Sequence, residues 1–160
     1  MPQSVSIKEE KISSFTWEWA DFSQLSKVQI YNILSLRQEI FIVEQECWYQ
    51  DADGKDSSAH HLSLSDEKKL IGYLRLLKPG AAYSEPSIGR IVIRQEYRSL
   101  GLGKVLINEG KKKCQELYPG LGIKLSAQAH LQSLYESQGF TKTGEPYDED
   151  GILHIEMVSK

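Results

Sequence analysis

The heptapeptide Arg98-Ser99-Leu100-Gly101-Leu102-Gly103-Lys104 joins a predicted strand, centred on Ile91-Val92-Ile93, to a predicted amphipathic helix. Glycines at such a junction let a ligand approach the backbone closely, because no Cβ atom stands in the way. The first turn of the helix also presents unpaired N–H groups and the positive end of the helix dipole. The segment therefore predicts an anion site suited to a pyrophosphate, with Arg98 and Lys104 adding positive charge.

Two common phosphate-binding patterns do not fit this segment. A P-loop requires Ser or Thr after its lysine, and Lys104 is followed by Val105. The dinucleotide pattern of the Rossmann fold requires glycine where Leu106 stands. A plain strand-to-helix turn that needs two glycines remains the alternative interpretation.

Composition limits the classes of protein that need to be considered. The chain has 160 residues and a formal net charge of −3, which predicts one soluble domain over 1–160 and argues against general nucleic-acid binding. It has no apolar run long enough to cross a membrane, and residues 1–11 lack the features of a signal peptide. Cys47 and Cys114 form no recognisable disulfide or metal pattern, so we expect a cytoplasmic protein.

Hydrophobic periodicity predicts a mixed α/β fold whose elements follow the order β-α-β-β-β-α-β-α-β-β. Residues 1–13 are polar and predicted to be flexible. In the first helix, we expect Val28, Tyr31, Leu34 and Phe41 to lie along one side. The predicted elements are strand 15–20, helix 26–41, strands 60–65, 70–78 and 87–94, a helix ending at Pro119-Gly120, strand 121–127, a short helix closed by Gly139, and strands 140–147 and 152–159.

Two ordered motifs resemble those of the GNAT N-acetyltransferases. Arg98-x-x-Gly101-x-Gly103 is similar to their (Gln/Arg)-x-x-Gly-x-(Gly/Ala) motif, and 134–140, LYESQGF, is similar to their LYxxxGF signature. The resemblance covers nearly the whole chain. Four runs resemble the ElaA-like branch in particular: VEQECWYQDADG, IGRIVI, AQAHLQSLYESQGF and YDEDGILHIEM.

The resemblance implies acetyl-CoA as the acetyl donor, a primary amine as the acceptor, and no metal. It places the pyrophosphate on the amides of residues 98–104 and the pantetheine arm along Ile91-Val92-Ile93, where a backbone N–H polarises the thioester. Tyr135 is similar to the tyrosine that protonates the leaving thiolate, although its ring could instead only pack. His130 either lines the CoA cleft or caps a helix. The family also implies that two copies could pair through their late strands.

The general base has several candidates in the sequence. Glu44 follows the apolar run 40–43, where partial burial would raise its pKa, and His154 lies on a late predicted strand. Each has a simpler alternative, a solvated carboxylate for Glu44 and a hydrogen-bonded core histidine for His154. Asp51 and Glu149 lie in predicted loops and are further candidates.

Acidic residues cluster in two predicted loops, which suggests a cationic amine as the acceptor if both loops face it. Solvated loops with no role in binding are the alternative. Trp48 and Tyr49 could form a wall of the acceptor site. The segment 51–56 departs from a calcium loop, because its glycine is at the fourth position rather than the sixth. The acidic residues are Glu44, Glu46, Asp51, Asp53 and Asp56 in one loop, and Glu145, Asp148, Glu149 and Asp150 in the other.

The leading functional prediction is therefore an acetyl-CoA-dependent N-acetyltransferase that works by direct attack in a ternary complex. The alternative is a regulatory module that binds acyl-CoA with little or no turnover.

Overall fold

The structure is a computed structural model that describes residues 9–160. It has two antiparallel sheets with helices packed against them, which confirms the predicted mixed α/β class. The strands are β1 Thr16–Asp21, β2 His60–Asp66, β3 Lys69–Leu77, β4 Ser87–Ile93, β5 Ile123–Gln128, β6 Thr141–Lys142, β7 Tyr147–Glu149 and β8 Ile152–Ser159, and the helices are α1 Lys27–Gln38, α2 Leu102–Leu117 and α3 Gln132–Ser137.

The first sheet has the strand order β1-β2-β3-β4, and the second has β5-β8-β6 with β7 also paired to β8. As a result β4 and β5 are edge strands of different sheets. The amide N of Lys124 donates to the carbonyl of Pro86 at 3.1 Å, so the two edges meet where the strands begin. This arrangement leaves room between β4 and β5 farther along.

The last predicted hairpin differs from the observed one. A single strand over 140–147 was expected, but β6 and β7 are separate short strands that both pair with β8. Pro146 lies between them and has no N–H to donate to a ladder, and Gly144 adds backbone freedom. These two residues explain the interruption.

The buried face of α1 also differs from the prediction. Val28 and Tyr31 are 68% and 74% exposed, whereas the buried positions are Ile33, Leu36 and Arg37. Arg37 is fully buried on the core face of α1, but hydrophobic periodicity assigns an arginine to the surface. The apolar face of the helix therefore cannot be recognised from its sequence pattern. The prediction for this face was wrong because ion pairs, described below, allow Arg37 into the core.

Beyond Gln38 the helix continues as a π-helical turn, Glu39–Glu44. The amide N of Gln45 donates to the carbonyl of Ile40 at 3.0 Å, which is the i to i−5 spacing of this turn. Helical turns of this kind are frequent at functional sites. Here the turn places Phe41 and Gln45 at the space between the sheets.

The helix α2 packs on the first sheet, and the face predicted to be apolar is the buried one. Leu102, Leu106, Gly110 and Cys114 are all buried, while Leu117 is exposed at the end of the helix. A Cβ atom at Gly110 would lie 3.0 Å from Leu74 Cδ1, so this glycine allows the helix to approach β3 closely.

The predicted flexible segment 1–13 is only partly described. Residues 1–8 lie outside the described residues, and residues 9–13 are helical rather than frayed. Ile12 packs against the buried cluster that contains Phe15 and Leu64, which explains the order of this turn. No helix within 9–160 is long and apolar enough to cross a membrane.

Candidate active site

A cavity of about 390 Å³ lies between the edges of β4 and β5. Residues of β4 form one side and residues of β5 and β8 the other, and Tyr135 of α3 closes part of the wall. The π-helical turn and the loop that follows it cover the top. The lining includes Phe41, Gln45, Cys47, Tyr49, Asp53, Lys55, Arg75, Ile88, Gly89, Arg90, Ile91, Ser126, Gln128, Tyr135, Glu149, Asp150, Ile152 and His154.

The strand β4 carries a bulge beside this cavity. Tyr73 pairs with Val92 and Arg75 pairs with Gly89, so Arg90 and Ile91 together face a single residue of β3. Arg90 has a φ of +51°, a left-handed conformation that costs a non-glycine residue about 1–2 kcal/mol. The bulge bends the strand. Since β4 is the last strand of its sheet, its outer edge, at the cavity, has no neighbouring strand of that sheet. Such an edge can pair with an extended ligand.

Ile91, Val92 and Ile93, the residues predicted to bind pantetheine, lie on β4, and their side chains divide between two environments. Ile91 lines the cavity, whereas Val92 is buried in the cluster below α1 and Ile93 packs on the core. Of the three residues predicted to bind pantetheine, only Ile91 therefore presents its side chain to the cavity.

The glycine segment has the geometry expected of an anion site. Gly101 has a φ of +73° and is the N-cap of the sixteen-residue α2. A Cβ atom at Gly103 would meet only Leu134 Cδ2, at 4.0 Å, so the fold itself does not require glycine there. Leu102 is buried and Lys104 is exposed. The unpaired amides of the first turn of α2 thus face the surface.

Arg98 and Glu44 form an ion pair that the sequence did not predict. The Nη1 and Nη2 atoms of Arg98 both donate to the carboxylate of Glu44, the Nη2 bond measuring 2.8 Å, and Nε donates to the carbonyl of Ile93 at 2.9 Å. The guanidinium thus turns back toward the end of β4 instead of extending over the glycine segment. Glu44 is not among the residues that line the cavity.

Tyr135 is a buried residue of the cavity wall. It is 8% exposed, contacts Phe140 edge to face with a centroid distance of 5.9 Å, and lines the cavity. Burial raises the pKa of its hydroxyl to about 12, so the group keeps its proton at neutral pH.

His154 belongs to a hydrogen-bonded group on β5, β7 and β8. Its Nδ1 donates to the carbonyl of Ile152 at 2.8 Å, and its Nε2 lies 3.3 Å from the Glu149 carboxylate. Ser126 is hydrogen-bonded to the hydroxyl of Tyr147 and lies 3.5 Å from the same carboxylate. Glu149, which the sequence placed only in a loop, is therefore brought together with His154 in the cavity wall.

The remaining predicted residues, His130, Trp48 and Tyr49, differ in their position relative to the cavity. His130 is exposed and lies outside the lining. Tyr49 lines the cavity, as expected for an acceptor wall, but Trp48 is 79% exposed.

An arginine–aspartate network in and behind the cavity wall was missed in the sequence. Arg37 Nε donates to Asp51 at 2.7 Å, and both terminal nitrogens of Arg75 donate to Asp53 at 2.8 Å. The network consists of Arg37, Arg75, Arg90, Asp51, Asp53 and Asp56. Its partners are far apart in the chain, so no local pattern could have revealed it.

These ion pairs change the ionisation of the aspartates. Burial alone would raise the pKa of Asp53, but the hydrogen bonds from Arg75 and the charges of Arg75 and Arg90 hold that pKa well below its usual range. The pKa of Asp56 is lowered in the same way by Arg37 and Arg75. Most of the first acidic loop is therefore neutralised by arginines instead of forming an open negative surface.

Metal ligands do not cluster in the described part of the chain, residues 9–160. His61 is buried and bonds to the Tyr73 hydroxyl at 2.6 Å, while the adjacent His60 contacts Asp21 on the other side of the strand. Both cysteines are buried free thiols.

Comparisons with known proteins agree with this geometry. The acetyltransferase (GNAT) domain matches residues 23–160. A UPF0039 protein of Synechocystis, sll0451, is 42% identical over 143 residues, which span 89% of this chain and 93% of that protein. Protein ElaA of Escherichia coli is 39% identical over 145 residues, 88% of this chain and 95% of ElaA.

Solved structures give the same answer. The crystal structure of Escherichia coli ElaA matches with a TM-score of 0.86 and 36% identity, covering 91% of this chain and 99% of that one. An acyl-CoA N-acyltransferase from Pseudomonas aeruginosa matches with a TM-score of 0.86, 38% identity and the same coverage. An aminoglycoside 6′-N-acetyltransferase complexed with coenzyme A, at 14% identity and a TM-score of 0.67, shares the fold alone. The chain therefore belongs to the GNAT acetyltransferase family and, within it, to the ElaA-like branch.

Proposed function

We propose that this protein is an N-acetyltransferase that moves the acetyl group of acetyl-CoA to a primary amine by direct attack in a ternary complex. One observation carries this proposal beyond family membership. The cavity between β4 and β5 joins an unpaired strand edge, a buried tyrosine and a carboxylate–histidine pair in one space. These are the groups that a thioester aminolysis needs.

The donor side is formed by α2 and β4. The free amides at the start of α2 suit the pyrophosphate, and exposed Lys104 adds positive charge. The open edge of β4 suits the amide groups of pantetheine, which would pair with it as an added strand. A strand N–H beside the bulge can then polarise the thioester carbonyl.

The acceptor side supplies the base. Glu149 and His154 lie together in the cavity wall, so we assign the proton of the attacking amine to this pair. Glu44 is paired with Arg98 outside the wall, and we assign it a positioning role. Tyr135 is the general acid, since burial keeps its hydroxyl protonated.

The reaction balances with these groups alone. The amine nitrogen forms a bond to the acetyl carbon, and its proton passes to the Glu149–His154 pair. The tetrahedral intermediate then collapses, and the carbon–sulfur bond breaks. Tyr135 gives its proton to the departing thiolate, which leaves as free CoA. Exchange with solvent then removes the proton from the Glu149–His154 pair and returns one to Tyr135.

The test is release of free thiol from acetyl-CoA over a panel of primary amines: polyamines, amino acids, aminoglycosides and peptides. We expect turnover with at least one class, and Glu149→Gln should reduce kcat by about 10²-fold or more. Glu145→Gln, in the same region of the chain but outside the cavity lining, is the matched control.

Thermal unfolding with and without CoA separates the two functional predictions. Stabilisation by CoA without turnover of any amine would favour the acyl-CoA-binding module. Absence of both stabilisation and turnover would contradict the donor site itself.

A further inference from the structure

The cavity has two walls of opposite charge. We define the basic wall as Lys55, Arg75 and Arg90, and the acidic wall as Glu149 and Asp150. The basic wall belongs to β3, β4 and the loop before β2, whereas the acidic wall belongs to the end of β7 and the turn that follows it. The two walls therefore lie on different sheets, with the cavity between them.

The basic wall retains positive charge after its internal ion pairs are counted. Asp53 is its one acidic lining residue, and it is shared among Arg75 at 2.8 Å, Arg90 at 3.3 Å and Lys55 at 4.0 Å. Asp51 and Asp56 balance Arg37 and Arg90 from beneath. The network of three arginines and three aspartates is neutral, so the charge of Lys55 is left over.

Two details show that this wall is short of acceptors. The Nε atom of Arg75 has no hydrogen-bond partner among residues 9–160. The side chain is only 4% exposed, so water does not readily replace that partner. The Nζ of Lys55 has only the distant contact with Asp53, and its side chain is 40% exposed. Arg75 already bonds to Asp53 and Asp56, so Lys55 is the weakly paired cation of this wall that a ligand anion can reach.

The acidic wall has the opposite surplus. The Asp150 carboxylate forms no ion pair within the described residues, and Glu149 contacts only His154 and Ser126. The turn is held in place, since the thiol of Cys47 donates to the carbonyl of Asp150 at 3.0 Å. The backbone of the turn that carries Asp150 is therefore anchored next to the cavity, which both acidic residues line.

We propose that the acceptor is an amine that also carries a carboxylate, with Lys55 as the residue that selects it; this inference rests on the proposed function. The amine lies toward the acidic wall and the base, and the carboxylate lies toward Lys55 and Arg90. The inference adds a carboxylate to the predicted cationic amine, because most carboxylates of the first acidic loop are already paired with arginines.

The test compares ω-amino acids of increasing chain length with their carboxamides, at saturating acetyl-CoA and with each amine pKa taken into account. The carboxylate form of the best chain length should have a kcat/KM at least about tenfold higher, as expected for a charge-assisted hydrogen bond. Lys55→Met should bring the two values together, and Lys55→Glu should reverse their order.

The control is Lys78→Met, which removes an exposed lysine next to β3 that lies outside the cavity lining. It should retain the preference of the parent protein. The Lys55 variants are expected to fold, because the side chain takes no part in the arginine–aspartate bonds at 2.7–3.0 Å. Equal kcat/KM values for carboxylate and carboxamide in the parent protein would overturn the inference.

A binding measurement separates failure of this inference from failure of the proposed function. If no amine is acetylated, the same pairs are titrated calorimetrically into protein saturated with CoA. Binding that requires the carboxylate and is lost in Lys55→Met would support the inference. In that case the absence of turnover would reject only the proposed acetyltransferase activity. Identical binding of both members, or no binding of either, would overturn it.

Discussion

Both terminal nitrogens of the Arg98 guanidinium donate hydrogen bonds to the carboxylate of Glu44. The sequence predicted separate roles for these residues, one at the phosphate site and one as the general base. In the structure each neutralises the other at the end of β4, and both are partly exposed. Their pairing connects the π-helical turn after α1 to the segment that leads into the glycine turn.

We expect Glu44→Gln to lower the KM for acetyl-CoA rather than to remove a base. The substitution leaves the Arg98 charge uncompensated near an anion site, and a partly exposed pair supports a change of up to about fivefold. Steady-state kinetics at several pH values should show the same kcat profile as the parent protein. Glu109→Gln, which loses only a surface pair with Lys112, is the control. Loss of the acidic limb of the kcat profile in Glu44→Gln would instead identify Glu44 as the base.

Tyr135→Phe should reduce kcat by about 10²-fold or more with little change in CoA affinity. Because the pKa of the hydroxyl is raised to about 12, its ionisation should cause no fall in rate as the pH rises to 10. Single-turnover kinetics and a CoA titration check the two statements separately. An unchanged kcat would exclude Tyr135 as the acid. If kcat is unchanged but the melting temperature falls, the role of Tyr135 is packing alone.

Gly103→Val should abolish CoA binding without destabilising the fold. The added side chain has room on the protein side, with Leu134 Cδ2 at 4.0 Å from the Cβ position, but it would project from the first turn of α2. Gly110→Ala is the opposite control, because its Cβ would lie 3.0 Å from Leu74 Cδ1. That variant should lose stability and still bind CoA. Normal CoA affinity in Gly103→Val would refute the glycine-segment site.

Arg37→Leu should lower the free energy of unfolding by about 3–5 kcal/mol, since it leaves Asp51 and Asp56 as buried charges without this partner. Glu39→Gln breaks only the surface pair with Arg94 and should cost less than about 1 kcal/mol. Urea unfolding monitored by circular dichroism measures both. Similar small losses in the two variants would show that the buried network contributes little to stability.

Stability should fall in acid because of the same network. The pKa values of Asp53 and Asp56 are lower in the folded protein than their ordinary value of 3.8. A lowered carboxyl pKa contributes stability above its ordinary value, and this contribution is lost as the pH falls through the folded value. Melting temperatures measured from neutral pH downward should therefore drop most steeply below about pH 4. Asp53→Asn should flatten this dependence, and an equally steep drop would contradict the assignment.

Several features were predictable because they depend on short stretches of chain. The strand–glycine–helix junction at Gly101 and the position of Tyr135 within LYESQGF follow from local spacing and from family resemblance, and both agree with the structure. The split of the last hairpin has a local cause too, since Pro146 interrupts the ladder, but the periodicity there was interpreted as one strand.

Residues distant in the chain could not be assigned in this way. Burial of Arg37 depends on aspartates from a later loop, and without them α1 was given the wrong apolar face. The pairing of Glu44 with Arg98 and of Glu149 with His154 likewise depends on the folded structure. The strength of an ion pair depends on the distance between the two charges, and the tertiary structure sets that distance.

Sequence alone was therefore sufficient for the local elements on which the proposed donor side rests, because helix termini and glycine backbone freedom are properties of contiguous residues. The acceptor side required the tertiary structure. Its acids and arginines come from loops and strands far apart in sequence, and which charges cancel and which remain facing the cavity is determined only when the two sheets pack together.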